Sequence, residues 1–434
     1  MTPQSHFMIV APIREGQMES LRSLLASMNH AIGAADADNT LVPFARFEGL
    51  HFARFVIIEA ITADEIRAFG VEPRPWQPAL AFLGDCDGER DVFLAQLAKL
   101  AGEGLSQLFG CCEGFVAGQQ DLLAWMRRHN VEPVANYVNW LGRTVRQVHE
   151  EAALHRSLAN ALPKIIAEVG RDQPRAIRQK LLSHVEMEKY SGCLLLTPDA
   201  PTPRGWLVRN WLHKIGVPAM LLLLSPLLLI LAPFFFWRLR SLEKADPELF
   251  IRPRREHIQT LAELEDHDVT NQFNVFGDIK PGRFRLLTFK FLMLLTDYVA
   301  RHIYNHGFLT RIRTIHFARW VFMDGNRRAF FASNYDGSHE AYMDDFINKA
   351  GWGLNVAFSN AVGYPATAWL VKQGATREQQ FKYTQRRHQL PSQVWYKAYP
   401  DLTAVDLARN GRIRRGVEVR PSSDEAIRVW LSEI

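Results

Sequence analysis

In this chain of 434 residues, the groups most able to do chemistry are histidines and arginines in its second half. His302 and His306 stand four apart in ARHIYNHG. On a helix that spacing brings both imidazoles to one face, where the pair can ligate a metal or one of them can be an axial ligand of iron. The same stretch also reads as a helix C-terminus, where the dipole favours histidine and Gly307 caps. His316 and Arg319 lie in HFARWVFMD, a strand by its β-branched and aromatic content. Side-chain alternation places them on opposite faces, and His316 also reads as a core histidine. Asn334 and Tyr335, at the end of the strand AFFASNYDG, are placed to line a pocket, and Asp336 with Gly337 reads as a turn. Arg386, Arg387 and His388 form a compact cation cluster of the kind that holds a phosphate or carboxylate headgroup.

The elements that must position these groups come in a repeated order. HFMIVAPI (6–13) reads as a strand, 17–34 as an amphipathic helix, 41–60 and 79–85 as strands, and 89–109 as a second helix. The order returns as FNVFGDI (273–279), a helix from Arg283 to His306, two strands at 316–324 and 329–337, and a helix from Ser338 to Lys349. Residues also match, in the same order along the chain: HFAR at 51–54 with 316–319, FLGDCDG (82–88) with FASNYDG (331–337), and MRRHNVEPVANY (126–137) with QRRHQLPSQVWY (385–396). Three collinear matches indicate an internal duplication. Each copy has the β-α-β-β-α-β order of a ferredoxin-like unit. The expected fold class is therefore α+β, with two such repeats (1–142 and 267–400) packed face to face as a pseudo-twofold α+β barrel. Between them lie a charged helical insertion (143–200), an apolar segment (201–245) and a linker (246–266), and a helical tail follows (401–434).

The apolar segment is the strongest membrane signal. Ile215 to Trp237 carries no charge, and about 20 apolar residues suffice to cross a bilayer as a helix. Pro218, Pro226 and Pro233 interrupt it, and positive charge flanks both sides: Arg204, Arg209 and Lys214 before, Arg238, Arg240 and Lys244 after. That symmetry opposes a simple span. It favours a kinked re-entrant hairpin with both ends on the cytoplasmic face, and the two copies that flank it must share one side of the membrane to pack together. The expectation is a monotopic protein on the cytoplasmic face of a bacterial inner membrane, with membrane lipids as partners and no nucleic acid. The net charge of +5 suits an anionic lipid surface. Four cysteines (Cys86, Cys111, Cys112, Cys193) have neither zinc nor disulfide spacing. The N-terminal residues carry no basic segment followed by an apolar stretch, so no signal peptide is expected. No GxSxG, P-loop, HExxH, CxxC or GxGxxG pattern is present.

The stretch AFFASNYDG–SHEAYMDDFINKAG–NVAFSNAVGYP (329–365) resembles the closing part of dye-decolourising peroxidases, and the two-repeat plan is similar to the superfamily they share with chlorite dismutases. The resemblance covers about 100 residues closely. It implies haem in the second repeat, between sheet and helices, with a histidine below the iron (His302, His306 or His316) and Arg319 above it. The GxxDG motif of the peroxidases is absent; FMDG at 322–325 keeps only its last two residues. The implied activity is a haem-dependent, peroxidase-like oxidoreductase acting on a lipid or other apolar substrate, with Arg319, Asn334, Tyr335 and Asp336 catalytic. The alternative is a non-catalytic protein that binds a lipid or a partner, and either form admits a homo-oligomer.

Overall fold

The computed structural model describes residues 1–419 and 423–434. Within them the chain is a mixed helix and sheet structure built on two antiparallel four-stranded sheets. The first uses β1 (Gln4–Pro12), β2 (Leu50–Ile58) and β3 (Ala79–Asp87). The second uses β4 (Ala135–Val138), β5 (Thr270–Asp278), β6 (Ile315–Met323) and β7 (Arg328–Asp336). The last strand, β8 (Ser392–Lys397), returns to the first sheet. Strand orders are β1-β3-β2-β8 and β4-β6-β7-β5.

Each sheet thus takes its edge strand from the other half of the chain. β4 follows the first half in sequence but pairs with β6, Asn136 opposite Arg319; β8 pairs with β2, Trp395 opposite Arg54. The ranges 1–142 and 267–400 therefore do not each hold a complete sheet, as two separate repeats would. A strand's side chains alternate between faces, and here both faces are buried. Phe7, Ile9, Phe55 and Phe82 meet the helices of the first half, whereas Met8, Val56 and Leu83 meet Phe276, Val321 and Phe330 of the second sheet. The layers run helix, sheet, sheet, helix.

The outer helices are α1 (Met18–Ala26), α2 (Arg90–Leu100), α3 (Gly102–Gly110) and α4 (Leu122–His129) on the first sheet. Where one helix was expected over 89–109, there are two. Gly104 lies so close to the Leu41 backbone that no Cβ would fit. The charged insertion is a helical pair, α5 (Val145–Val169) and α6 (Pro174–Tyr190). The apolar segment is α7 (Arg204–Ala245) and the expected linker contains α8 (Arg255–Leu264). The second sheet is covered by α9 (Arg283–His302) and α10 (His339–Phe358), with α11 (Glu378–His388) beside it. The tail forms α12 (Ala404–Glu418) and α13 (Asp424–Leu431), packed on α5 and α6 around Leu158, Leu181, Ile413 and Trp430.

Helix α7 corrects the hairpin expectation. It is one continuous helix of 42 residues, about 63 Å at ~1.5 Å per residue. Each internal proline removes one hydrogen bond, but no glycine follows Gly216 within the helix to reverse the chain. The carbonyl that Pro226 cannot reach, Leu222 O, instead accepts from Ser225 Oγ at 2.7 Å. Both ends of α7 are held by the same body. Near its start, His213 Nδ1 and His302 Nε2 of α9 share a hydrogen bond of 2.9 Å, and Tyr298 Oη donates to Lys214 O. Near its end, Phe235 packs on Phe284 of α9, with ring centroids 5.3 Å apart. The buried Glu243 carboxylate accepts from Thr367 Oγ1 and from the backbone of Trp369 and Leu370 at 2.8–3.0 Å. Asp246 then accepts from Lys280 and Arg285 at 2.8 and 2.6 Å. Between these anchors one face of the helix stays against the protein, with Val217 buried, and the other is bare: Leu223, Leu229 and Ile230 are each more than 70% exposed.

Candidate functional site

The arginines of the paired strands form the most ordered polar centre, and it lies between the sheets. Arg319 donates to Phe7 O at 2.8 Å and Gly84 O at 3.1 Å, and pairs with Asp85. Arg54 makes the corresponding bonds in the other direction, to Phe273 O at 3.3 Å and Ser333 O at 3.1 Å, with Asn274 Oδ1 at 2.9 Å. Asn334 joins this centre by donating to Asp85 at 3.2 Å. The two histidines repeat the exchange at the sheet ends. His316 meets Asp336 at 2.7 Å and His51 meets Asp87 at 3.0 Å. Asp336 also accepts from the Ala404 backbone at the start of α12, and Asp87 from Val145 at the start of α5. A carboxylate at a helix N-terminus is favoured by the free N–H groups there. These four residues tie the sheet ends to the starts of α5 and α12.

That arrangement changes the roles expected for them. A register shift between Ile315 and Phe317 turns His316 to the same side as Arg319, not the opposite one: His316 packs on Phe52 of the first sheet, and Arg319 bonds to that sheet as well. A bulge adds one residue and so resets the alternation. Asp336 is a buried cap rather than a turn residue. Tyr335 faces the other way, stacked on Tyr342 of α10 with centroids 3.9 Å apart. The expected catalytic set is thus divided between two faces of one sheet.

The remaining candidates are also separated. Helix α9 ends at His302, so His306 is not on a helical face with it. His302 turns to His213, and His306 forms a bridge with Trp140. The cation cluster on α11 is already neutralised. Arg387 donates to Glu65 at 2.7 and 3.2 Å, His388 lies 3.2 Å from the same carboxylate, and Arg386 bonds to Glu265 at 2.6 Å. Burial alone would raise the Glu65 carboxyl, but His388 and Arg387 hold it down at about 2. These groups are structural ties, with little left to offer a headgroup.

What the structure does form is a half-open apolar cavity of about 350 Å³ on the outer face of the second sheet, between α9 and α10. Leu295 and Val299 of α9, Trp320 and Phe331 of the sheet, and Phe346 and Leu354 of α10 line it. Helix α10 is broken at Ala350 (φ −141°, ψ 22°), which also lines the cavity. Leu292, at the edge of this cavity, packs on Leu239 of α7. Nothing in the sequence marked this space, because its residues are ordinary core types that simply fail to meet.

The cavity occupies the layer where the resemblance places haem, so its lining is the test of that expectation. No histidine, cysteine, arginine or carboxylate is among the residues that line it. His316 and Arg319 lie on the far face of the sheet, and His302 and His306 are engaged elsewhere. The lining does not supply the expected pair: the histidine below the iron and the arginine above it are both missing from it. Among the described residues there is also no cluster of three or more histidine, cysteine or acidic side chains that could hold a metal ion. Comparison of the chain with protein families, with characterised proteins and with solved structures gives no match.

Proposed function

We propose that this chain is a monotopic membrane protein that binds an apolar molecule drawn from the bilayer into the cavity between α9 and α10. The observation that carries the reading is α7: a helix long and apolar enough to enter a membrane, unburied along that stretch, with both ends fastened to one body. A spanning helix delivers its two ends to opposite sides of the bilayer. Here α7 runs antiparallel along α9, His213 beside His302 and Phe235 beside Phe284, and its bare face lies along the membrane surface in this reading. Exposed Leu287 and Phe291 on α9 and Trp369 beyond Glu243's anchor extend the apolar surface, larger than a soluble monomer ordinarily leaves bare. The basic residues at the two ends of α7, on either side of its apolar stretch, suit the anionic lipids of a cytoplasmic leaflet.

The plan behind this body is read as an ancient duplication, two ferredoxin-like units that have exchanged their last strands. The matched bonds of Arg54 with Arg319 and of His51 with His316 support it.

Vesicle flotation tests the membrane reading. Wild-type protein should rise with phosphatidylglycerol vesicles, and the triple variant Leu223→Glu, Leu229→Glu, Ile230→Glu should stay behind, weakened at least 100-fold. A carboxylate in hydrocarbon costs on the order of 2.5–3.5 kcal/mol. All three residues are free of protein contacts that folding needs, so circular dichroism should be unchanged. Equal flotation of the variant would remove the proposal.

A further inference from the structure

The apolar cavity has a polar mouth, and we infer that the two together bind a single-chain amphiphile with an anionic head, the chain inside and the head on Arg311. This deepens the reading of the cavity as a binding site and rests on it. The mouth is an open hollow lined by Arg311, Asn348 and Lys349, and it shares Tyr304, Thr310 and Trp352 with the cavity. One space therefore passes from hydrocarbon surroundings to cationic ones.

Three observations give the mouth its chemistry. Leu309 and Ile312 exchange backbone hydrogen bonds of 2.8 and 2.9 Å, which closes a tight turn with Thr310 and Arg311 at its tip. Thr310 is held at φ 57°, a conformation a β-branched residue adopts only under strain. Its Oγ1 is buried and has no hydrogen-bond partner among the described residues, although it stands at the junction of the two spaces. A buried hydroxyl in that position is a ready donor to a carboxylate or phosphate oxygen. The Arg311 guanidinium beside it is exposed and makes no ion pair or hydrogen bond with a described residue, unlike Arg386 and Arg387. Lys349 is tied to Asp345 at 2.7 Å, so the free cation is Arg311.

The size of the cavity limits the chain. Its volume of about 350 Å³ equals roughly a dozen water volumes of ~30 Å³, room for about ten carbons at methylene size. A two-chain phospholipid is too large to be enclosed. A fatty carboxylate or an alkyl phosphate fits.

Native mass spectrometry of the full chain, released from a bulky steroidal detergent, tests this with dodecanoate, dodecyl phosphate, dodecanol and inorganic phosphate as probes. The expected result is one adduct per chain, with both anionic amphiphiles favoured over dodecanol about tenfold, the worth of one hydrogen bond to a charged group. Arg311→Ala should erase that preference and leave dodecanol binding as it was, and Arg311→Lys should restore part of it. Equal binding of dodecanoate and dodecanol by the wild type, or a preference that survives Arg311→Ala, overturns the headgroup assignment while the cavity reading stands. Inorganic phosphate bound as tightly as dodecyl phosphate would make this an anion site with no chain, which also overturns it. Adducts of all probes unaffected by Ala350→Phe, which fills the cavity, would instead overturn the cavity reading itself.

Discussion

Glu65 shows how charge is used in this protein. Its side chain is only 8% exposed, and its carboxylate is shared by Arg387 and His388, side chains more than 300 positions away in the chain. A carboxyl held at about 2 lies below its ordinary value of ~4.3. The stability it contributes is complete above pH ~4.3 and is lost as the pH falls from there towards 2. Glu65→Gln should therefore cost about 3 kcal/mol at neutral pH, because the buried Arg387 guanidinium loses its partner. It should also flatten the acid limb of the stability curve, measured by denaturant midpoints from pH 5 to pH 2. A midpoint equal to wild type at pH 7 would show that Arg387 and His388 find other partners.

At the scale of the element, α7 is held by two kinds of anchor. The C-terminal one is a buried carboxylate with backbone and hydroxyl donors. The N-terminal one is the His213–His302 pair, with Asp297 at 3.5 Å from His213 and Arg301 and Lys214 nearby. Burial, then His213, Arg301 and Lys214, lower His302 to about 4, and burial and Arg301 lower His213 despite Asp297. Both histidines are thus lowered from the ordinary ~6.5. The neutral pair is the one that docks, so its contribution is complete above pH ~6.5 and declines as the pH falls towards 4. Amide exchange at residues 206–213, corrected for the intrinsic rate, should accelerate between pH 7 and pH 5, while residues around Glu243 stay protected. His302→Ala should remove the pH dependence. Uniform protection across α7 at both pH values would assign the docking to apolar contacts alone.

For the whole molecule, the exchange of edge strands is the controlling feature. β4 and β8 each close the sheet of the other half, and Arg54 and Arg319 tie the sheets across the shared core. Fragments 1–142 and 267–400 produced separately should thus lack an edge strand each, expose the face around Val56 and Val321, and aggregate. Produced together they should associate, even without α5 to α8 between them. A soluble, cooperatively melting fragment 1–142 alone would show that β8 is dispensable. HFAR and the Asp-Gly pair recur in the sequence, and each copy serves the same purpose in the structure. Arginine ties the sheets and aspartate caps a helix distant in sequence, α5 or α12. The exchange was not legible, because an edge strand carries the same alternating pattern whichever sheet receives it.

Local pattern was enough to place most strands, the two-part plan and the apolar helix, since side-chain period, proline and charge act over a few residues. Tertiary structure alone decided how these were used. A single bulge at His316 moved a histidine to the other side of its sheet, and carboxylates distant in sequence consumed the α11 cations. The α7 prolines read as breaks, yet Ser225 supplied one of the missing bonds and the chain ran straight on. The cavity depended on even less that is local. It exists because α10 breaks at Ala350 and holds its side chains away from the sheet, and the strained turn at Thr310 sets a free arginine at its mouth. Such a space is a property of what does not touch, and contacts that are absent leave no mark on the residues that border them.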